Sequence, residues 1–204
     1  YILTLLEGKV KDRKLIKKYL QKASNATDRL GYIIKDVDLI TEFETGVTNL
    51  KIEKFDLCKL IIDLVDSFEI KMKQKGIEIT YDFGNDKSIF VNADNFRITQ
   101  VMSNLIVNSL NYGVENGTIE IVTKNLSKEK LLVRIIDNGQ GIPEDDLPRI
   151  FERFYRVDKT RNRQEGGSGL GLAIVKHIVE AHNEIVYVES SLNVGSEFSF
   201  TLTK

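Results

Sequence analysis

The sequence predicts an α/β sandwich: a mixed, largely antiparallel sheet faced by helices and preceded by a partial helical hairpin. Three observations predict it. Residues 12–45 carry an apolar seam at heptad spacing. Beyond residue 50, helix-period stretches are interleaved with segments of two-residue alternation. Residues 139–168 follow neither period and hold both prolines, as a long functional loop would.

The elements follow in order. "YILTLLEG" is expected to be the end of a helix, with Gly8 in the turn. In the long helix, Ala23, Ala26, Leu30, Ile33, Val37 and Ile40 are spaced 3, 4, 3, 4, 3. Gly46 stands where a C-cap glycine belongs. Two such helices make an antiparallel hairpin whose narrow stripe buries little alone. A four-helix bundle from two copies is the economical solution, and packing on the chain's own globular part is the alternative. Residues 51–55 suit a short strand or a linker. Asp56 can cap a helix with Leu57, Leu60, Ile61, Leu64, Val65, Phe68 and Met72 on its apolar face. Ile77, Ile79, Tyr81 and Phe83 alternate as in a half-buried strand. Residues 95–112 are helical. "TIEIVTKN" and "LLVRIIDN" are strands joined by the polar turn "LSKEK". A helix over 169–182 follows, then the strands "EIVYVES" and "GSEFSFTLTK", a hairpin around Gly195.

Composition narrows the function. The net charge of −1 gives no bulk attraction to nucleic acid or to a membrane surface. A single cysteine, Cys58, rules out a disulfide framework and a cysteine zinc site, and suits a small apolar position on a helix. The two histidines, His177 and His182, sit five apart and cannot hold zinc alone. No apolar run reaches the roughly 18 residues of a membrane span. The chain shows no leader pattern and opens inside an apolar helix, so it is expected to be cut from a longer one.

Four segments carry chemistry. "EGGSGLGLAIVKHIVEAH", 165–182, runs glycines into a helix start, which suits a phosphate. No Gly-Lys-Ser/Thr follows, so it is not a Walker A loop, and its glycine spacing is not that of the dinucleotide fingerprint. In "QVMSNLIVNSLNYG", Asn104 and Asn108 share one face of an otherwise apolar helix. Amides there need polar partners: each other's hydrogen bonds, or a hard cation such as Mg²⁺. "IIDNGQGIP", 135–143, sets Asp137 at a strand end before two glycines. It is either a simple turn or an acceptor for an exocyclic amine with backbone close to a flat ring. In "IFERFYRVDKTRNR", Phe151 and Phe154 can anchor a loop whose cations, Arg156, Lys159, Arg161 and Arg163, face polyphosphate; a solvated amphipathic turn is the plainer alternative.

Together and in this order, the four segments resemble the N, G1, F and G2 boxes of the sensor histidine kinase ATP-binding domain. That domain belongs to a wider group with gyrase, Hsp90 and the MutL proteins. Within it, the chain resembles the membrane-bound, phosphate-regulon-like class of two-component sensor kinases. The resemblance implies two domains. Residues 1–48 would be part of the dimerisation and histidine-phosphotransfer hairpin, and 49–204 the ATP-binding catalytic domain. It implies ATP and Mg²⁺ as cofactors, with Asn108 the metal ligand and Asn104 beside the phosphates. Tyr112 would flank the adenine and Asp137 would accept its amine, with Gly139, Gly141 and Ile142 alongside. Residues 144–168 would form a lid, and Arg156 would reach the γ-phosphate. Gly167, Ser168, Gly169, Leu170, Gly171 and Leu172 would hold the phosphates at the helix start. Asn104, Asn108 and Arg156 form the implied catalytic set, and Asn111 is included among the nucleotide contacts.

Hydrolysing relatives have a glutamate four residues before the metal asparagine; Asn104 cannot serve as such a base. The implied acceptor is therefore a histidine on the hairpin, then an aspartate on a response-regulator receiver domain. Its box lies upstream of Tyr1, so this fragment is expected to lack its own acceptor and the phosphatase determinants near it, with neither His177 nor His182 replacing it. The implied partners are a receiver domain and a second copy through the hairpin, with no nucleic acid, and the implied place is the cytoplasmic portion of an inner-membrane sensor. Two departures stand out. Asn111 replaces a usual lysine, removing a contact of on the order of 1.5–3 kcal/mol. Asn183 and Glu184 replace a common glycine pair. A degenerate scaffold-like kinase and an anti-sigma-type serine kinase are the alternatives; the heptad hairpin argues against the second.

Overall fold

Asp12 starts the long helix by accepting from the Lys14 amide at 2.8 Å, and Gly46, at φ +67°, stops it. In the computed structural model, which describes residues 2–8, 10–46, 49–157 and 168–204, α1 is Ile2–Leu6 and α2 is Arg13–Glu44. Gly8, at φ +65°, lies in the turn after α1. The chain divides into two compact units, Tyr1–Leu39 and Ile40–Lys204.

The smaller unit has almost no core of its own. α1 buries nothing, and Leu30 and Val37 of the heptad seam are exposed, as are Leu20 and Ile34. Ala26 is exposed too, and Ala23 and Ile33 are only half-buried. Apolar side chains at this spacing gain little until something covers them.

The larger unit begins with β1 (Ile52–Asp56), which pairs antiparallel with β3 (Phe90–Asp94) as a separate two-stranded ribbon. Asp56 caps α3 (Leu57–Ser67) by accepting from the Cys58 amide at 3.0 Å. The helix predicted to run on to Met72 instead breaks at Phe68, and α4 (Glu69–Lys75) follows, closed by Gly76 in the left-handed region. Leu57, Ile61, Val65 and Phe68 are buried. β2 (Glu78–Asp82), β4 (Thr118–Asn125), β5 (Lys130–Asp137), β6 (Val186–Ser191) and β7 (Gly195–Thr203) form the main sheet, in the order β2-β4-β5-β7-β6. Only β2 and β4 are parallel. β2 is an edge strand, and there the expected alternation fails: Ile77 and Ile79 are buried, but Tyr81 is exposed and stacks on Phe83, their centroids 5.2 Å apart.

β4, β5 and β7 show one face to a core. Ile119 and Ile121, Leu131, Val133 and Ile135, and Phe198, Phe200 and Leu202 are all buried. The register aligns them, with Leu131 opposite Leu202, Val133 opposite Phe200 and Ile135 opposite Phe198. Covering that face are α5 (Asn95–Tyr112) and α6 (Gly171–Ala181), which pack on each other and on the sheet. The opposite face carries the Arg134–Glu197 fork, 2.6 and 2.5 Å. A 3₁₀ turn over Glu144–Arg149 is the one short helix in the long loop among the described residues. The result is the expected mixed α/β fold with a sheet faced by helices.

Far from the glycine-rich loops, Glu184 is buried and accepts from Lys130 Nζ, from Thr201 Oγ1 at 2.6 Å and from Thr203 Oγ1 at 2.7 Å. Burial alone would push its carboxyl up, but the Lys130 ammonium and the two hydroxyls outweigh burial and hold it below its ordinary 4.5. A lowered folded value stabilises the fold above the unfolded value, and that stability is lost as pH falls through the folded one. Glu184→Gln is expected to lower stability by about 2–3 kcal/mol at pH 7 and to flatten its decline below pH 4.5, checked by urea melts across pH.

Candidate nucleotide site

α5 positions one wall. Asp94 caps it by accepting from the Arg97 amide at 3.1 Å, and Asp94 also accepts from the Lys51 amide at 2.9 Å. Ile98, Val101, Met102, Leu105, Ile106 and Leu110 anchor its core face. Asn104 and Asn108 lie half-buried on the neighbouring stripe. Asn104 Nδ2 donates to the Gly171 carbonyl at 3.3 Å, joining the asparagine face of α5 to the first turn of α6.

That first turn is open. α6 begins after Leu170, an apolar N-cap residue with no capping side chain, and its first turn holds no acidic residue. Its leading N–H groups and the positive end of its dipole therefore suit an anion. Leu170 is fully buried, so only its backbone can meet a ligand, and its amide donates to Ser168 Oγ at 3.2 Å. Leu172 is half-buried. Gly169, at φ +74°, packs on Phe154: a Cβ there would lie 2.9 Å from Phe154 Cα. Phe154 donates its amide to the Gly169 carbonyl at 2.9 Å and itself holds φ +60°. Phe154 is exposed, so the predicted aromatic anchor is not this ring; Ile150 is the buried one. Arg156 is half-buried beyond it. Gly167, with Lys159, Arg161 and Arg163, lies outside the described residues.

The other wall is the end of β5. Asp137 is 7% exposed. It accepts from Ser109 Oγ at 2.9 Å and from the Gly139 amide at 3.0 Å, and the Ser196 amide also favours its charged form. Burial raises its carboxyl above the ordinary range, and those donors pull it back only in part. Tyr112 is partly exposed, and its carbonyl accepts from the Gln140 amide at 3.1 Å. The two glycines after Asp137 were expected to admit a flat ring; on the side a Cβ would take, each meets protein backbone. A Cβ on Gly139 would lie 2.6 Å from the Tyr112 carbonyl, and one on Gly141 2.0 Å from the Ser191 carbonyl. The Ile142 amide donates to Ser190 Oγ at 2.8 Å, so the tip of the β6–β7 hairpin braces this loop. Asn111 is exposed.

The structure thus joins Asn104 with Gly171, Asp137 with Gly139, and Gly169 with Phe154. Ser109, Ser190 and Ser196 were missed. Ser109 was within reach of sequence reasoning: a hydroxyl on the buried face of a helix needs a polar partner as much as Asn104 does.

His182 is used structurally. Its Nε2 accepts from the Asp94 amide at 3.0 Å, which leaves Nδ1 to donate to the Ile178 carbonyl at 2.8 Å. His177 is half-buried, and burial, then Arg153, push its pKa down. Among the described residues no three His, Cys, Asp or Glu side chains gather as a metal cluster, so a cation here would need amide and ligand oxygens.

Residues 93–204 match the family of histidine kinase-, DNA gyrase B- and HSP90-like ATPases. The chain is 32% identical over 203 residues to the sensor histidine kinase WalK of Bacillus subtilis (strain 168), covering 99% of this chain and 33% of that protein. It thus spans about a third of that relative's length. Full-length ShkA in complex with AMPPNP superposes with a TM-score of 0.80 at 25% identity, over 91% of this chain and 38% of that one. Histidine kinase ThkA in complex with the response regulator TrrA does so with a TM-score of 0.76 at 26% identity, over 100% of this chain and 55% of that one.

Proposed function

Because the chain belongs to the family of histidine kinase-, DNA gyrase B- and HSP90-like ATPases, as an ATP-binding histidine kinase catalytic domain, we propose that it binds Mg·ATP and delivers the γ-phosphate to a histidine on a helical hairpin, for relay to a receiver-domain aspartate. One observation carries this. The Asn104–Gly171 bond sets a half-buried amide face, fit for a hard cation, beside an uncapped helix start, fit for phosphates.

Each residue then has a task. Asp137 accepts the adenine amine, and Tyr112 flanks the ring. Asn108 is the metal ligand, and Asn104 lines the phosphates. The amides of Ser168 to Leu172 meet phosphate oxygens, and Arg156 on the lid turns to the γ-phosphate. Bound Mg²⁺ would neutralise charge on the β- and γ-oxygens. Asn104 cannot take a proton from water, so the site keeps ATP intact until an acceptor arrives. His182 spends both ring nitrogens on backbone and His177 sits on α6 rather than on the hairpin, so the acceptor histidine is supplied from outside residues 1–204. The helical region 1–48 supports self-association, because Ala26, Leu30 and Val37 of its seam are exposed in the single chain. The partner is a response regulator, as for ThkA with TrrA. The longer protein is a membrane sensor; within the described residues no helix is long and apolar enough to cross a membrane.

Radiolabelled ATP given with a separate histidine-bearing hairpin tests this. Acid-labile, base-stable label on the hairpin is the expected result. Acid-stable label would make the chain a serine kinase, free phosphate without label a hydrolase, and neither product a scaffold, the outcome to which Asn111 inclines.

A further inference from the structure

Ser109 has no place in the tasks just given, yet its buried hydroxyl bonds a residue that has one. It is 0% exposed, between Asn108 and Leu110 on α5. A hydroxyl in that setting is costly without a partner. Its partner is Asp137 Oδ2, 2.9 Å away and 28 residues on. Gly139 holds the other oxygen, Oδ1, at 3.0 Å. A carboxylate with its two oxygens pinned from opposite sides cannot rotate, and it keeps a lone pair for a further donor.

We infer that Ser109 is a positioning residue of the nucleotide site: its hydroxyl holds the Asp137 carboxylate turned as an acceptor for the adenine amine. This rests on the ATP reading above. Ser109 contacts no ligand; it acts through Asp137. It also links the two walls, because the helix that bears the metal asparagine thereby grips the strand end that reads the base.

The link has a signature in pH. Asp137 serves as an acceptor for the amine only when the oxygen facing it carries no proton. Its protonation is set by its own burial, the Ser109 hydroxyl from α5, the Gly139 amide from the loop and the Ser196 amide from β7. No ionised side chain is among these causes, and β4 opposes it with Ile119. Loss of the Ser109 hydroxyl therefore favours the protonated form.

The test is calorimetric titration of ATP with Mg²⁺ into wild type, Ser109→Ala, Asp137→Asn and the double variant, from about pH 5 to about pH 8. Alanine is smaller and a better helix former, so the fold is retained, and melting curves check it. Ser109→Ala is expected to weaken ATP binding about tenfold at neutral pH. The acid limb of the binding profile should move to higher pH. In the Asp137→Asn background the same change should have no further effect. If Ser109→Ala binds ATP as wild type does at every pH, whatever its melting point, the positioning role fails while the ATP reading stands. An equal loss in the Asp137→Asn background also overturns it, since Ser109 would not act through the carboxylate. Failure of wild type to bind ATP at any pH removes both.

Discussion

Asparagine in place of Asp137 is expected to abolish the stabilisation of the protein by ATP. Asp137 is a buried carboxylate with two hydrogen-bonded protein donors on it and no cation among the causes of its shift. A group so placed is desolvated already, and the amine of a purine can use its remaining lone pair at little further cost. An asparagine keeps the shape but turns a donor towards that amine or leaves the Ser109 hydroxyl without its acceptor. Such a mismatch costs about 2.7 kcal/mol, or about 100-fold in affinity. Saturating ligand at about 100 times its Kd raises stability by about 2.7 kcal/mol. Wild type should therefore show a clear rise in melting temperature with ATP, and Asp137→Asn close to none. Equal shifts in the two proteins would remove Asp137 from the site.

The second large effect is expected at Asn108. It lies one helical turn beyond Asn104 and shares its face. No cluster of carboxylates or histidines among the described residues offers a cation an alternative. Asn108→Ala should leave ATP binding without metal nearly unchanged, because the base is read by Asp137 and the phosphates by the start of α6. It should erase the gain in affinity that Mg²⁺ brings, and lower phosphoryl transfer to a supplied hairpin by on the order of 10²- to 10³-fold. Spin resonance with Mn²⁺ as the probe checks the first point: wild type should hold the ion in the ATP complex and the variant should release it. Unchanged Mn²⁺ retention would place the metal ligand elsewhere.

Much of this was legible in the sequence because local signals and tertiary demands agreed. Helix α5 was expected at 95–112 and lies there, since Asp94 caps it and its apolar period is unbroken. The long helix α2, expected over 12–45, runs from Arg13 to Glu44 between Asp12 and Gly46. Strand β5 alternates cleanly along its length, and β4 over Thr118–Ile121, because one face alone meets a core. Where tertiary context decides, the sequence was a poorer guide. β3 was missed: Ile89, Val91 and Ala93 do alternate, but over five residues beside polar neighbours, and its antiparallel partner β1 lies between 34 positions upstream, where Asp56 meets Phe90, and 42, where Ile52 meets Asp94. The alternation of β2 was over-read, because an edge strand need not cover both ends. The glycines of the Asp137 loop also have a packing reason the sequence did not show, the close approach of the Tyr112 and Ser191 carbonyls on the side a Cβ would take. Ser109 was passed over because a lone serine draws less notice in an apolar helix than two asparagines do.

The central claim is that an adenine pocket at Asp137 and a triphosphate cradle at α6 form one site. Calorimetry of ATP, GTP and inorganic triphosphate, each with and without Mg²⁺, tests it most directly. ATP should bind in roughly the micromolar range, about −8 kcal/mol, more tightly with Mg²⁺. GTP, which sets a carbonyl against Asp137 where ATP sets an amine, should bind at least about tenfold more weakly. Triphosphate alone should bind more weakly still. Equal affinity for all three would mean that only the helix start binds and Asp137 reads nothing, and no heat with ATP would contradict the nucleotide site altogether.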